Sequence, residues 1–198
     1  MPDRSLVLAS ASPARLRLLR DAGFDPKVIV SGVDESVIRS DDPWDNVQQL
    51  AIVKARSVAE GLGPGFVVVG CDSMLLFDGA LLGKAASPAD VVERWRRMRG
   101  RNGVLLTGHC VIDTTTDRSV QEVGDTVVRF GRPTDAEIAA YAETDEALAV
   151  AGPFTIDGRS AMFVDGIDGD AGNVIGISLT VLHRLLAQLN VDAVSLWS

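Results

Sequence analysis

Residues that most often build metal centres and disulfide frameworks are scarce in this chain, which has two cysteines and two histidines in 198 residues. Cys71 and Cys110 each sit inside an apolar, strand-like run. They read as small core residues, argue against a disulfide scaffold and point to a reduced, cytoplasmic setting. His109 stands beside Cys110, but no companion pair has ligand spacing, so zinc is not expected. Positive charge is also short: 19 Lys and Arg against 27 Asp and Glu leave a net charge of −8. That balance argues against a general affinity for nucleic acid. No apolar run approaches the roughly 18 residues of a membrane span, and the run after Arg4 is shorter than the about 7–15 residues of a signal-peptide core. With aromatics at only 5%, the core must come mostly from Val, Leu, Ile and Ala.

What is present begins with SLVLASASPARLRLLRDAG, Ser5 to Gly23. An apolar run (Leu6 to Ala9) breaks at Ser10-Ala11-Ser12-Pro13 and resumes with leucines at helical spacing, so it reads as strand, tight turn and helix. Ser12 fits the N-cap, Pro13 the first helical position and Gly23 the C-terminal stop. A strand that delivers Ser10, Ser12 and Arg15 to a helix N-terminus gathers backbone donors, the helix dipole and a cation. Such a place suits an anion, phosphate above all; the alternative is an ordinary capped helix with solvated arginines.

Further along, Lys27 to Ser31 reads as a strand, followed by an acid-rich loop from Val33 to Asp42 that carries Glu35. Asp42-Pro43 starts a helix on which Val47, Leu50, Ala51, Lys54, Ala55 and Val58 share one stripe. Lys54 either snorkels from the edge of that stripe or is a cation held at a cleft. Phe66 to Gly70 is a continuous apolar run, hence a buried strand, leading into Cys71-Asp72-Ser73 and a second run, Met74 to Phe77. Asp72 is a carboxylate in apolar surroundings, where burial is costly without a cation; it serves either a turn or chemistry. Asp78-Gly79 marks a hairpin to Ala80–Leu82, and Gly83-Lys84 follows. Ser87-Pro88 caps a helix to Arg99 whose arginines spread around it, which favours a solvated helix over a polyphosphate clamp. Gly103 to Ile112 and Val120 to Phe130 form an antiparallel pair, Thr134 to Glu137 is a capping box for a helix to Glu143, and a final helix runs from Ser178 to Leu189. The Gly- and Asp-rich segment from Ala151 reads as short strands and turns. Together these elements predict an α/β fold with a mixed sheet.

The ordered set LASASPARLRLL, VDE at Val33 to Glu35, LAIVKA, GCDS, GK at Gly83-Lys84, TG at Thr107-Gly108, AGPFTIDG and NVIGISL resembles the Maf family of nucleotide pyrophosphatases over nearly the whole chain. The resemblance implies one Maf-like domain over residues 1–198, with an elongated mixed β-sheet flanked by helices and two lobes with a central cleft, similar to the inosine triphosphatase fold. It implies a cytoplasmic enzyme, a possible homodimer, that uses a divalent metal, Mg²⁺ or Mn²⁺. The implied reaction cleaves nucleoside triphosphates at the α–β phosphoanhydride to monophosphate and pyrophosphate. By the same resemblance Asp72 is the general base, with Glu35, Lys54 and Lys84 catalytic, Asp72 and Glu35 holding the metal, and Ser10, Ser12 and Arg15 binding substrate phosphate.

Departures fall at the family's specificity positions. One subfamily, acting on dTTP and UTP, carries Arg, Thr and Gln there, and another, acting on 7-methyl-GTP, carries Trp, Gln and Glu. This chain has Ala14, Ser73 and Asp157. Ala14 matches neither, Ser73 leans to the first and Asp157 to the second, so the base is left open. Ala149-Val150 also replaces the family's Asp-Lys before the Ala-Gly pair. The competing reading is a nucleotide-binding regulator of septum formation without relevant turnover. A dinucleotide-binding or kinase-like domain is disfavoured, because neither glycine-rich phosphate motif occurs.

Overall fold

A computed structural model describes residues 4–35, 38 and 40–198. Of the acid-rich loop expected over 33–42, positions 36, 37 and 39 lie outside the described residues. The described residues form seven strands and seven α-helices in a mixed α/β arrangement, with two short 3-10 turns at Arg159–Phe163 and Ala193–Leu196. The strands are β1 Ser5–Leu8, β2 Lys27–Val28, β3 Phe66–Phe77, β4 Ala80–Leu82, β5 Asn102–Asp113, β6 Arg118–Phe130 and β7 Val164–Asp168. The helices are α1 Pro13–Asp21, α2 Pro43–Ala59, α3 Pro88–Met98, α4 Asp135–Ala142, α5 Asp145–Ala149, α6 Ala171–Ile175 and α7 Leu179–Gln188. The sheet order is β2-β1-β3-β5-β6-β7, with β4 paired to β3.

By contact density the chain divides into two compact units. One takes in the chain up to Asp72, Thr107–Gly124 and Gly176–Ser198; the other takes in Ser73–Leu106 and Asp125–Ile175.

In the first unit, β1 runs parallel to both β2 and β3. Side chains alternate across a strand, so each strand feeds two cores. Leu6, Leu8, Val67, Val69, Cys71 and Val111 pack with Leu19 of α1 and with Val181, Leu182 and Leu185 of α7. Val7, Ala9, Val68, Cys110 and Ile112 pack with Ala51, Ile52, Ala55 and Val58 of α2. Helices α1 and α2 therefore cover opposite faces, and the chain leaves β1 in one direction and reaches β3 from the other. The carboxyl end of β1 is a topological switch point, where open α/β sheets gather ligands.

The second unit is built around Trp95 of α3, which is fully buried. Its ring meets Phe130, Tyr141 and Phe163 edge to face at centroid distances of 5.6, 6.2 and 5.5 Å. The hairpin expected at Asp78-Gly79 is present, with both residues in the left-handed region at φ 52° and 75°.

Several expectations are corrected. The strand read over Lys27 to Ser31 reduces to β2, because β1 ends at Leu8 and turns into the serine loop. Ile29 still donates its N–H to the Leu8 carbonyl, at 3.1 Å. The two runs flanking Asp72 are one strand of 12 residues, so Asp72 serves no turn. Helix α6 lies in the segment from Ala151 that reads as short strands and turns, and α5 lies just before it, where the sequence predicts no element; at 5 residues each they are too short to show a period. Arg96 and Arg97 of α3 are exposed and pair with Asp135 and Asp78, in line with the solvated-helix reading, whereas Arg94 is mostly buried and pairs with Asp90.

Candidate active site

The loop after β1 places the two serines and the arginine. Ser12 caps α1, its hydroxyl accepting from the Arg15 N–H at 3.4 Å, and Pro13 opens the helix. Ser10 Oγ accepts from the Ser12 N–H at 3.2 Å and from Arg15 Nη1 at 3.0 Å. Both acceptor positions of that hydroxyl are taken, which leaves its O–H proton to donate. Arg15 is buried, and its Nε donates to the Gly176 carbonyl at 2.7 Å. The arginine therefore anchors the loop ahead of α7 as well as carrying charge to the site.

Two glycines set the position of α2. A Cβ on Gly70 of β3 would lie 2.5 Å from the Ala51 carbonyl oxygen and 2.7 Å from the Ala55 nitrogen. A Cβ on Gly108 of β5 would lie 2.3 Å from the Val47 carbonyl oxygen. At these two points the helix rests on the sheet backbone to backbone, and only glycine permits the approach. Asp72 is two residues beyond Gly70, hence on the same face, and Lys54 lies one turn along the helix from Leu50 and Ala51. The alternation of the strand thus aims the carboxylate at the helix that carries the lysine.

The result is a compact ion cluster. Lys54 Nζ lies 2.6 Å from Asp72 Oδ1 and 2.6 Å from Glu35 Oε1. Lys54 and Asp72 are 8% and 6% exposed, so this lysine does not snorkel. Burial pushes the Asp72 carboxyl above its ordinary range, the Lys54 and Arg15 charges pull it part of the way back, and Glu35 adds to the rise. Among the described residues Asp72 Oδ2 is buried without a hydrogen-bond partner. A carboxylate oxygen in that condition is an acceptor held ready for a water or a cation.

His109, Cys71 and Cys110 are buried in the first unit. His109 Nε2 accepts the Ser178 N–H at 2.9 Å at the start of α7. Burial, with the Arg15 charge, holds the His109 pKa down to about 4, so the ring is neutral at physiological pH. Burial pushes the Cys71 thiol up to about 11 and the Cys110 thiol up to about 12, far from thiolate reactivity. Among the described residues no group of three His, Cys, Asp or Glu could hold a metal. The available donors are Glu35 and Asp72, of which Lys54 uses one oxygen each. Two carboxylates suit Mg²⁺, which is commonly bound by one or two carboxylates together with substrate phosphates. The orphaned Asp72 Oδ2 fits that use.

Of the residues singled out in the sequence, Ser10, Ser12, Arg15, Glu35, Lys54 and Asp72 all belong to the first unit. Lys84 and Asp157 belong to the second, and both are exposed. Asp157 accepts from the Thr155 hydroxyl. Ala14, on the first turn of α1, and Ser73, directly after Asp72, are half-buried. Sequence reasoning missed the spacing role of Gly70 and Gly108, although an isolated glycine inside a strand pattern signals close backbone approach.

The model of the Maf-like protein family matches residues 5–189. The chain is 56% identical over its whole length to a nucleoside triphosphate pyrophosphatase of Streptomyces coelicolor, covering 96% of that protein. Identity to the protein of the same description from Salinispora tropica is 51%, over 98% of this chain and 87% of the relative. For that of Thermosynechococcus vestitus it is 48%, over 92% of each. With the family model spanning residues 5–189 and a relative 56% identical over the whole chain, the chain belongs to the Maf-like protein family.

Proposed function

We propose that this protein hydrolyses nucleoside triphosphates at the α–β phosphoanhydride, releasing nucleoside monophosphate and pyrophosphate. The observation that carries the reading is Asp72, a buried strand carboxylate with Oδ1 held by Lys54 and Oδ2 without a partner among the described residues. Oδ2 accepts a proton from a water as that water attacks the anhydride, forming one P–O bond while the bond to pyrophosphate breaks. A pKa raised above the ordinary carboxylate range makes Asp72 a stronger base than a solvent-exposed aspartate.

Negative charge grows on the departing pyrophosphate, and preorganised cations are worth most in a site shielded from water. Lys54 and Arg15 are such cations, and Lys84 is assigned the same task by family resemblance. The Ser10 O–H donates to a phosphate oxygen, and Ser12 and Arg15 keep the loop in shape for it. Glu35 and Asp72 would hold a divalent cation, Mg²⁺ or Mn²⁺, which when bound supplies further neutralisation of the polyphosphate. By family resemblance the choice of base is assigned to Ala14, Ser73 and Asp157. Relatives described as nucleoside triphosphate pyrophosphatases support the reaction class.

The test is product analysis with a panel of triphosphates in Mg²⁺ or Mn²⁺. Monophosphate and pyrophosphate are expected in equal amounts, and release of terminal phosphate overturns the reading. Asp72→Asn is expected to lose about 10²–10⁴-fold in turnover with its fold intact. Full activity in that variant removes Asp72 from its role.

A further inference from the structure

The arginine-rich helix α3 has no part in the reading above, yet one of its arginines differs from the rest. Arg94 is 16% exposed at its side chain, whereas Arg96, Arg97 and Arg99 are between 36% and 52% exposed. Its Nη1 donates to the Gly83 carbonyl at 2.8 Å, the peptide group directly before Lys84. Asp90, one turn earlier, accepts from Arg94 Nε at 2.8 Å and pairs with Nη2 at 2.8 Å. The same carboxylate accepts the Ala86 N–H at 3.0 Å, two residues after Lys84.

The backbone around Lys84 is therefore tied on both sides to a single ion pair. The Gly83 carbonyl also accepts the Gly152 N–H at 3.1 Å, and Lys84 forms an isolated antiparallel bridge with Ala151. The neighbouring helix residue, Trp95, donates Nε1 to the Pro153 carbonyl at 2.9 Å. Helix α3 thus anchors both chains of that bridge, while Lys84 itself is exposed.

We propose that the Asp90–Arg94 pair is a positioning clasp for Lys84, fixing the short segment from Gly83 to Ala86 so that the lysine presents its charge to the polyphosphate. The inference rests on the catalytic role assigned to Lys84 above. Held this way, the backbone that carries the lysine is fixed before substrate binds. A displacement of about 1 Å at such a group can cost up to 10²-fold in rate.

The test compares Lys84→Ala, Arg94→Met, the double variant and Arg94→Lys for kcat and KM, with thermal unfolding of each as a check on the fold. Arg94→Met is expected to lose about tenfold in kcat/KM, and Arg94→Lys to recover part of it by restoring one donor to the Gly83 carbonyl. In the Lys84→Ala background the Arg94→Met change is expected to cost less than twofold, since there is no lysine left to position. Should Arg94→Met fail to fold, Asp90→Asn loosens the same clasp and takes its place in the cycle. If Lys84→Ala is impaired but Arg94→Met is fully active, or if the two losses multiply, the clasp is overturned while the role of Lys84 stands. If Lys84→Ala is fully active, the role of Lys84 falls and the clasp falls with it.

Discussion

At Asp72 two forces oppose each other on one carboxyl group. Burial disfavours its charge, and the Lys54 ammonium 2.6 Å away favours it. Burial prevails, so the pKa is raised. The general base proposed above works only when ionised, and on that reading activity should fall with acid at a pH above the ordinary aspartate range of about 3.9. Lys54→Met removes the cation that favours the ionised form, so the acid limb of kcat/KM against pH should move to higher pH as overall activity drops. A limb that stays in place in this variant would separate the titrating base from the Lys54–Asp72 pair. His109 does not compete for the assignment near neutral pH, since its pKa is held down to about 4 and its Nε2 is already engaged by Ser178.

At the scale of elements, the decisive contact is α2 against β3 and β5. Gly70→Ala would drive a methyl group to 2.5 Å from the Ala51 carbonyl oxygen, and the helix must lift. The expected cost is about 1–3 kcal/mol in unfolding free energy, by the general penalty for overpacking, together with at least a tenfold loss in kcat. Chemical denaturation and steady-state assay check it. Gly63→Ala, where no atom lies within 4 Å of the new Cβ, should change neither by a measurable amount. The strand, turn and helix at Ser5–Gly23 were legible in the sequence because cap residues and apolar period agree there. Lys54 was legible as an anomaly, a charge on an apolar stripe. Its partner was not, because sequence spacing carries no information about which strand lies beneath a helix. The extent of β2 was hidden for a related reason: a strand needs a neighbour, and the end of β1 is a tertiary fact. Helices α5 and α6, at 5 residues each, hold too little pattern to be distinguished from turns.

The whole molecule carries a net charge of −8, with a sequence pI near 4.7. No helix among the described residues is long and apolar enough to cross a membrane. On the proposed reading a polyanion is admitted locally, at Lys54 and Arg15, while the net negative charge repels it elsewhere. Duplex DNA, which needs an extended basic surface, should neither shift in an electrophoretic mobility assay with this protein at about 0.1 M salt nor slow triphosphate turnover. Inhibition by DNA under those conditions would reveal a basic face that the net charge conceals. The two glycines beneath α2 have a separate consequence for how such a protein can change over time. Side-chain cores drift as residues are exchanged and repacked, but a backbone resting on a backbone has nothing to exchange. Gly70 and Gly108 act as a gauge block, so the gap between Lys54 and Asp72 can keep its width while the surrounding valines and leucines are replaced by others.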